Sequence, residues 1–313
     1  MARIPEVVLS SSTGQRRMPI IGLGTAPESA SVVSTKDAVL EAIKQGYRHF
    51  DAASAYGVEQ DVGEAIAQAL QLGLVASRDQ LFITSKLWVT DNQPHLIIPA
   101  LKRSLRTLNL EYLDLFLIHW PITAKPGKVT YPIEQSELLP FDMKGVWESM
   151  EKCQRLGLTK AIGVSNFSTD RLRKLLSFAT IPPAVNQVEI NLAWQQKKLR
   201  EFCKAKGITL TAFSPLRKGV SRGNNLVMDN DLLKDIAQAH GKTIAQICLR
   251  WIYEQGLTFV VKSYNRERMK QNLDIFDWSL TEDDYNIISR IYQERLIKGP
   301  TNPLLDDLWG DED

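Results

Sequence analysis

The amino-acid sequence predicts a single (β/α)8 barrel domain, an α/β fold that spans residues 1–313. Three observations predict it: short apolar runs alternate with amphipathic helical segments, eight such runs occur, and each ends on a polar or ionisable residue. Eight βα units fit a closed parallel barrel better than a doubly wound sheet. The chain exceeds the roughly 250 residues of a typical barrel by enough for added loops, and no linker divides it.

Apolar periodicity and turn residues place the elements in chain order. An N-terminal β-hairpin is predicted where residues 7–9 and 17–20 flank a turn-rich segment containing Gly14. The barrel strands are predicted at residues 20–25, 49–53, 81–86, 113–119, 160–166, 184–189, 209–214 and 257–263. The helices are predicted at residues 35–46 (with Thr35 as N-cap), 59–72, 96–108, 143–156, 170–178, 196–206, 231–240, 244–254, 266–275 and 283–292. Two of these helices are additional to the repeat, and long loops at 121–140 and 217–225 extend the face where the strands end.

Composition excludes several classes of protein. The formal net charge of +2 argues against a nucleic-acid partner. No apolar run approaches the roughly 20 residues of a transmembrane helix, and the N-terminus lacks the apolar segment of a signal peptide. Cys153, Cys203 and Cys248 are far apart, so neither a disulfide framework nor a metal site is expected. We expect a cytoplasmic monomer that binds neither nucleic acid nor a membrane.

Catalytic residues of such barrels lie where the strands end. The strand ends here are Thr25, Asp51, Lys86, His119, Ser165 with Asn166, Gln187, Ser214, and Lys262 with Ser263. One polar strand end shows only that the chain leaves the core. Eight such ends, with Asp, Lys and His on three consecutive strands, indicate an active site.

A proton donor is predicted just beyond the second of these strands. Small residues separate Tyr56 from Asp51 and permit a tight turn. A tyrosine donates a proton readily if a cation lowers its pKa from about 10. Lys86 could be that cation and Asp51 its counter-charge, although on an open surface the same pair would be an ordinary ion pair. His119 could orient a carbonyl oxygen, although alone it would be taken as a hydrogen-bonded core histidine.

A second reactant requires its own binding residues. Residues 22–24 begin a dinucleotide-binding motif, but Pro27 occupies the position of its third glycine. Phosphate binding is instead expected at Lys262, Ser263 and Arg268. Arg268 lies in the first turn of the following helix, whose N-terminus also favours anions. The alternative is an exposed basic helix turn without a ligand.

These residues resemble those of the aldo-keto reductases, and the resemblance covers nearly the whole chain. Residues 46–57, 162–167 and 262–272 are similar to three signature segments of that family. The resemblance implies a reductase that uses NADPH to reduce a small-molecule carbonyl substrate. It implies a catalytic tetrad of Asp51, Tyr56, Lys86 and His119.

The resemblance also implies a cofactor site. Phe213 stands where the family commonly has a tyrosine that stacks on nicotinamide. Lys262 and Arg268 would bind the 2′-phosphate and so favour NADPH over NADH. The residues implied for the nicotinamide carboxamide are Ser165, Asn166 and Gln187. The other implied cofactor residues are Thr25, Asp51, Ser214, Leu216, Ser263, Gln271 and Asn272.

Within the family, the likeness is densest to the plant chalcone reductases, which act on a polyketide intermediate of chalcone synthase. A transient contact with that synthase is therefore implied. The segments that carry this likeness are residues 191–203, 213–219, 275–278 and 295–301. The residues that depart from the expected pattern are Ala52, Ser54, Thr25 and Val261. The alternatives are a reductase of alkaloid ketones or uronic acids, and a non-catalytic NADPH-binding barrel, which the intact tetrad disfavours.

Substrate contacts are expected from aromatic residues near the strand ends. Trp88 and Trp120 would form an apolar wall beside His119, suited to an aromatic substrate. Phe141 and the tail at residues 304–309 are further candidates. Each of the wall residues could instead serve only in packing.

Overall fold

The computed structural model describes residues 4–9, 15–27, 33–127, 133–217 and 225–297. The strands within these ranges are β1 (Glu6–Leu9), β2 (Arg16–Pro19), β3 (Ile21–Gly24), β4 (His49–Asp51), β5 (Phe82–Leu87), β6 (Leu113–Ile118), β7 (Thr123–Ala124), β8 (Leu138–Leu139), β9 (Thr159–Ser165), β10 (Val185–Glu189), β11 (Thr209–Phe213) and β12 (Thr258–Val261). The α-helices are α1 (Thr35–Lys44), α2 (Glu59–Gln71), α3 (Ile97–Leu108), α4 (Met143–Arg155), α5 (Thr169–Leu176), α6 (Lys197–Lys206), α7 (Asp231–Ala239), α8 (Ile244–Glu254), α9 (Arg266–Leu273) and α10 (Glu282–Ile288).

The predicted eight-stranded barrel is confirmed. Strands β3, β4, β5, β6, β9, β10, β11 and β12 form one closed sheet in that order. All neighbours are parallel, and β12 pairs with β3 so that Val260 lies opposite Gly22. Parallel strands bring their carboxyl ends to one rim, so the polar strand ends surround one opening.

The N-terminal hairpin packs against side chains of the barrel strands. β1 and β2 pair antiparallel, as predicted, and the turn at Gly14 lies outside the described residues. Leu9 and Met18 are buried in a cluster of their own with barrel residues. Those residues are Phe82, Leu115, Leu117, Ala161, Ala184 and Val185. Along the strands they alternate with residues of the larger core, as the two-residue period of a strand requires.

His49 is a polar residue buried within the barrel. Its Nε2 lies 3.1 Å from the Thr84 hydroxyl, and its Nδ1 lies 3.4 Å from the Pro19 carbonyl oxygen. Burial lowers the pKa of His49 to about 4, so the ring is neutral at neutral pH. A Cβ at Gly22 would come within 2.8 Å of His49 Nδ1. A side chain at position 22 would therefore collide with the His49 ring. This packing explains Gly22, the first glycine of the incomplete dinucleotide-binding motif.

The helices cover the barrel through one continuous apolar core. Trp147 of α4 is fully buried there and donates its indole N–H to the Ile181 carbonyl at 3.0 Å. Helix α2 contacts α3 at Gly63, where an added Cβ would lie 2.3 Å from the Leu108 carbonyl oxygen. This outer layer holds the strands, and with them the rim, in place.

Some boundaries differ from the prediction. The N-cap of α1 is Ser34, whose hydroxyl accepts a backbone N–H of the first turn, so the prediction of Thr35 as N-cap is wrong. The last helix, predicted at 283–292, ends at Ile288. The loop predicted at 121–140 contains an antiparallel pair of two-residue strands, β7 and β8. The remaining elements end close to their predicted boundaries.

Candidate active site

Asp51 and Lys86 form a buried ion pair at the barrel rim. Lys86 Nζ donates to Asp51 Oδ1 at 2.5 Å and to the Ala52 carbonyl at 3.0 Å. Asp51 Oδ2 accepts the Gln187 side-chain N–H at 2.8 Å. Burial lowers the pKa of Lys86, but Asp51 and Tyr56 together raise it by more, so it lies above its ordinary value. Lys86 is therefore a permanent cation fixed in position.

Tyr56 lies next to this cation. Its hydroxyl oxygen is 3.5 Å from Lys86 Nζ, at the limit of a hydrogen bond. The turn that presents it is fixed by Ser54, whose hydroxyl donates to the Lys86 carbonyl at 3.0 Å. Burial raises the pKa of Tyr56, and Lys86 opposes this rise only in part. Lys86 thus acts in the expected direction, but the expectation of a net lowering is wrong, and the hydroxyl keeps its proton at neutral pH.

His119 follows β6 and faces the same place. Burial, together with the nearby Lys86 cation, lowers the pKa of His119 well below its ordinary value, so the imidazole is neutral. Its ring contacts those of Tyr56 and Trp88 edge-on, with centroids 5.6 and 5.3 Å away. Its Nδ1 is buried without a hydrogen-bond partner among the described residues. A neutral imidazole can donate one hydrogen bond to a carbonyl oxygen.

A cavity of about 840 Å³ opens at this rim. Asp51, Tyr56 and His119 line it, whereas Lys86 lies behind them. Its volume lies within the range of cavities that hold cofactors and substrates. Every residue predicted for the cofactor site lines this one cavity: Thr25, Asp51, Ser165, Asn166, Gln187, Phe213, Ser214, Leu216, Lys262, Ser263, Arg268, Gln271 and Asn272.

A network of hydrogen-bonded side chains lies beside the ion pair. Ser165 donates its hydroxyl to the Gln187 backbone carbonyl at 2.7 Å. Asn166 Nδ2 donates to the His119 carbonyl at 2.9 Å and to Ser165 Oγ at 3.1 Å. Asn166 Oδ1 is buried and has no partner among the described residues. A bound group that carries an N–H donor would satisfy it, and a carboxamide is such a group.

The far end of the cavity is cationic. The Lys262 and Arg268 side chains are exposed, and neither forms an ion pair with a residue that the structure describes. Asn265 caps α9, accepting the Arg268 backbone N–H at 2.9 Å. The Asn265 N–H in turn donates to Ser263 Oγ at 3.2 Å. Two cations beside a helix N-terminus suit a phosphate group.

Further lining residues were not predicted from the sequence. They are Gly24, Ala26, Pro215, Arg217, Asn225, Met228, Asp229, Thr243, Ala245, Val260, Val261 and Ile297. Asn225 Nδ2 donates to the Leu216 and Arg217 carbonyls at 3.2 and 3.0 Å, which joins the ends of the predicted loop. Residues 218–224 of that loop lie outside the described residues. Arg217 could have been found from the sequence, because it follows Leu216, which was predicted for the cofactor site. No feature of the sequence indicated Ile297.

The predicted aromatic wall is only partly present. Trp120 lines the cavity, and Trp88 instead lies behind it, against the His119 ring. Phe141 is not part of the lining; its ring packs edge-on against Phe167 at a centroid distance of 6.5 Å. The tail at residues 304–309 lies outside the described residues.

The sequence model described as the aldo/keto reductase family matches residues 20–293, which is most of the chain. The chain belongs to the aldo/keto reductase family. It is therefore an oxidoreductase that acts on a small-molecule carbonyl substrate. The tetrad-like cluster and the cavity described above lie within the matched region.

Plant members of the aldo/keto reductase family are similar over almost the whole chain. The NAD(P)H-dependent 6′-deoxychalcone synthase of Glycine max is 66% identical over 99% of this chain and 98% of that protein. The (1S)-1,7-diacetoxy-luvungin A aldo-keto reductase of Citrus sinensis is 56% identical over 93% of this chain and 91% of that protein. The D-galacturonate reductase of Fragaria ananassa is 53% identical over 94% and 93%, respectively.

Solved structures of the aldo/keto reductase family share the fold. The Bombyx mori aldo-keto reductase in complex with NADP superposes with a TM-score of 0.82 at 36% identity, covering 95% of this chain and 96% of that one. The aldose reductase from Schistosoma japonicum gives 0.83 at 34% identity, covering 96% and 95%. Within the described ranges, no helix is long and apolar enough to cross a membrane.

Proposed function

We propose that this aldo/keto reductase uses NADPH to reduce a carbonyl group of a reactive polyketide intermediate made by a chalcone synthase. The observation that carries the proposal is a difference in sequence identity to the relatives. Identity to the 6′-deoxychalcone synthase is 66%, against 56% and 53% to relatives named for other substrates, at similar coverage. A shared reductase chemistry alone would not produce this excess.

The tetrad residues have distinct roles in this proposal. NADPH, when bound, supplies a hydride to the carbonyl carbon. Tyr56 donates its proton to the carbonyl oxygen, and the Lys86 cation, held by Asp51, stabilises the tyrosinate that remains. His119, being neutral, donates a hydrogen bond that orients the carbonyl oxygen.

The cavity residues hold the cofactor in the same proposal. Asn166 Oδ1, which lacks a partner, accepts from the nicotinamide carboxamide, with Ser165 and Gln187 beside it. Phe213 offers its ring for stacking, and Lys262 with Arg268 binds the 2′-phosphate. The other cofactor residues are Thr25, Asp51, Ser214, Leu216, Ser263, Gln271 and Asn272. Of the residues predicted to bind substrate, Trp120 and His119 line the cavity, and Trp88 supports the His119 ring from behind it.

The chemistry of the substrate fixes when the reductase acts. In a finished chalcone the target carbon belongs to an aromatic phenol ring and no longer carries a ketone. Reduction must therefore precede aromatisation of that ring, and loss of the new hydroxyl group as water on aromatisation leaves the ring one hydroxyl short. The intermediate either diffuses from the synthase or passes over in a transient contact. The proposal includes a single domain over residues 1–313 that works as a monomer in the cytoplasm, in keeping with three free, buried cysteines.

Thr25 and Val261 differ from the residues expected in a chalcone reductase, but these two differences count little against the proposal. Thr25 is fully buried and donates its hydroxyl to the Asp51 carbonyl at 2.9 Å. A serine would make the same bond. Val261 is 2% exposed in β12, where it packs in the apolar core and also lines the cavity.

Co-incubation with a chalcone synthase tests the proposal. The two enzymes receive coumaroyl- and malonyl-thioesters with NADPH, and the products are analysed by mass; Tyr56→Phe is the control. We expect a product that lacks one hydroxyl group relative to ordinary chalcone. Ordinary chalcone alone, together with ready reduction of alkaloid ketones or uronic acids, would identify the alternative substrates as correct. Failure to reduce any carbonyl would support a non-catalytic barrel.

A further inference from the structure

Parts of three separated segments that carry the likeness to the plant chalcone reductases lie close together among the described residues. The three segments are residues 191–203, 213–219 and 295–301, of which 218–219 and 298–301 lie outside the described residues. The Gln293 side chain donates to the Leu192 carbonyl at 3.0 Å, and the Glu294 N–H donates to the Ala193 carbonyl at 2.7 Å. The C-terminal segment is thereby held along the stretch that follows β10.

Glu189 binds the backbone of the C-terminal segment directly. It ends β10, and its side chain is 3% exposed. Its carboxylate accepts the Leu296 N–H at 3.1 Å and the Ile297 N–H at 2.8 Å, and it also accepts the Asn191 side-chain N–H at 3.1 Å. A buried carboxylate bonded to backbone amides fixes those amides in position.

Arg217 supplies the cation for this carboxylate. Its side chain is 6% exposed, and a guanidinium nitrogen lies 3.9 Å from Glu189 Oε1. The guanidinium also donates to the Glu294 backbone carbonyl and, at 2.7 Å, to the Glu294 carboxylate. Arg217 has a φ of 49°, which a non-glycine residue adopts only where its surroundings hold it. These contacts join the edge of the cofactor cavity to the C-terminal segment.

Ile297 is the residue whose position depends on these bonds. It lines the cavity, and it packs against the apolar cluster that contains Trp120, Val89 and Ile122. If the Ile297 amide were released, its side chain could move away from Trp120. The space beside Trp120 is where a bulky substrate would contact the wall.

We propose that Glu189, Arg217 and Glu294 form a charge latch that positions Ile297 against Trp120 and thereby favours bulky aromatic carbonyls over small ones. The three are positioning residues, since none reaches the reacting atoms. The inference deepens the proposed function, and it rests on that function for the assignment of this cavity to the substrate.

The test compares two aldehydes of different size. Glu294→Gln removes the latch charge from a residue outside the cavity lining, and Glu111→Gln, at an exposed position outside the latch, is the matched control. For Glu294→Gln we expect KM for 2-naphthaldehyde to rise about three- to tenfold. We expect kcat, KM for propanal and the NADPH dissociation constant to stay unchanged. Equal changes for both aldehydes, or none, would overturn the latch as a determinant of selectivity.

Hydrogen exchange gives a readout that is independent of turnover. The amides of Leu296 and Ile297 should exchange faster in Glu294→Gln and in Arg217→Met than in the wild type and in Glu111→Gln. The double variant should exchange no faster than Arg217→Met alone, because the two side chains act as one contact. Unchanged protection in all variants would refute the latch whichever aldehydes the enzyme reduces, and the co-incubation with a chalcone synthase tests the proposed function separately.

Discussion

At the residue scale, burial and neighbouring charges give the three reactive side chains defined protonation states. The pKa of Tyr56 lies above its ordinary value, that of His119 well below, and that of Lys86 above. At neutral pH the site therefore holds a neutral acid, a neutral imidazole and a cation. Proton donation then benefits from Lys86 mainly when Tyr56 becomes an anion, because only that form carries the charge that Lys86 attracts.

Tyr56→Phe should keep NADPH binding and nearly abolish turnover. The aromatic ring remains while its transferable proton is lost, and general acid catalysis contributes roughly 10²–10⁴-fold. Fluorescence titration of NADPH and steady-state kinetics measure the two effects. A variant with near-normal kcat would remove Tyr56 from the mechanism.

Arg268→Ala should weaken NADPH binding about ten- to a hundredfold and leave NADH binding nearly unchanged. A guanidinium that pairs with the 2′-phosphate contributes roughly 1.5–3 kcal/mol, and NADH lacks that group. Lys270→Ala on the same helix is the matched control, since Lys270 is exposed and does not line the cavity. The measurement is the dissociation constant of each cofactor. Equal weakening of NADPH and NADH binding would show that Arg268 has a structural role.

The chemistry-bearing residues were predictable where they stand at strand ends. Asp51, Lys86 and His119 follow apolar runs, so the closed barrel brings them together. The net pKa shift of Tyr56 was not predictable, because it depends on how completely the folded site excludes water. Ile297 was not predictable as a cavity residue, because only the distant Glu189 brings it there.

At the element scale, most strands were predictable and the shortest were not. A parallel strand buried on both faces reads as a nearly continuous apolar run, as in residues 115–118 of β6. The two-residue strands β7 and β8 are too short to show a period. Ser34 and Thr35 are adjacent hydroxyl residues, so pattern alone could not decide which of them caps α1.

Gly63→Ala should destabilise the protein by about 1–3 kcal/mol, because the methyl group would meet the Leu108 carbonyl at the contact of α2 with α3. Helix propensity alone predicts the opposite sign, a gain of about 1 kcal/mol. Denaturant unfolding followed by circular dichroism measures the difference. A more stable variant would show that the two helices separate at little cost.

At the scale of the whole molecule, buried histidines make stability depend on pH. The folded pKa of His49 is about 4, below the ordinary value of about 6.5. Between these two pKa values, His49 is protonated in the unfolded chain and neutral in the folded chain. Stability from the neutral ring is thus complete above about pH 6.5 and is lost towards pH 4.

His49→Gln should therefore reduce the loss of unfolding free energy between pH 7 and pH 4.5 by about 2–3 kcal/mol. Urea unfolding at the two pH values measures that loss. His95→Gln, at an exposed position, is the control and should retain the wild-type loss. An unchanged pH dependence in His49→Gln would show that His49 takes up its proton within the folded barrel.

Closure of the barrel also sets an order of events during synthesis. Strand β3 cannot pair with β12 until the ribosome has made nearly the whole barrel. Likewise, Met18 of the hairpin cannot pack against Val185 until that residue has been made. At a synthesis rate of about 5–20 residues per second, this edge of β3 stays unpaired for about ten to fifty seconds. Throughout that time an unpaired strand edge and the apolar side chains of Leu9 and Met18 in the hairpin are open to other chains. Chaperones that cover the nascent N-terminus should therefore raise the yield of this enzyme.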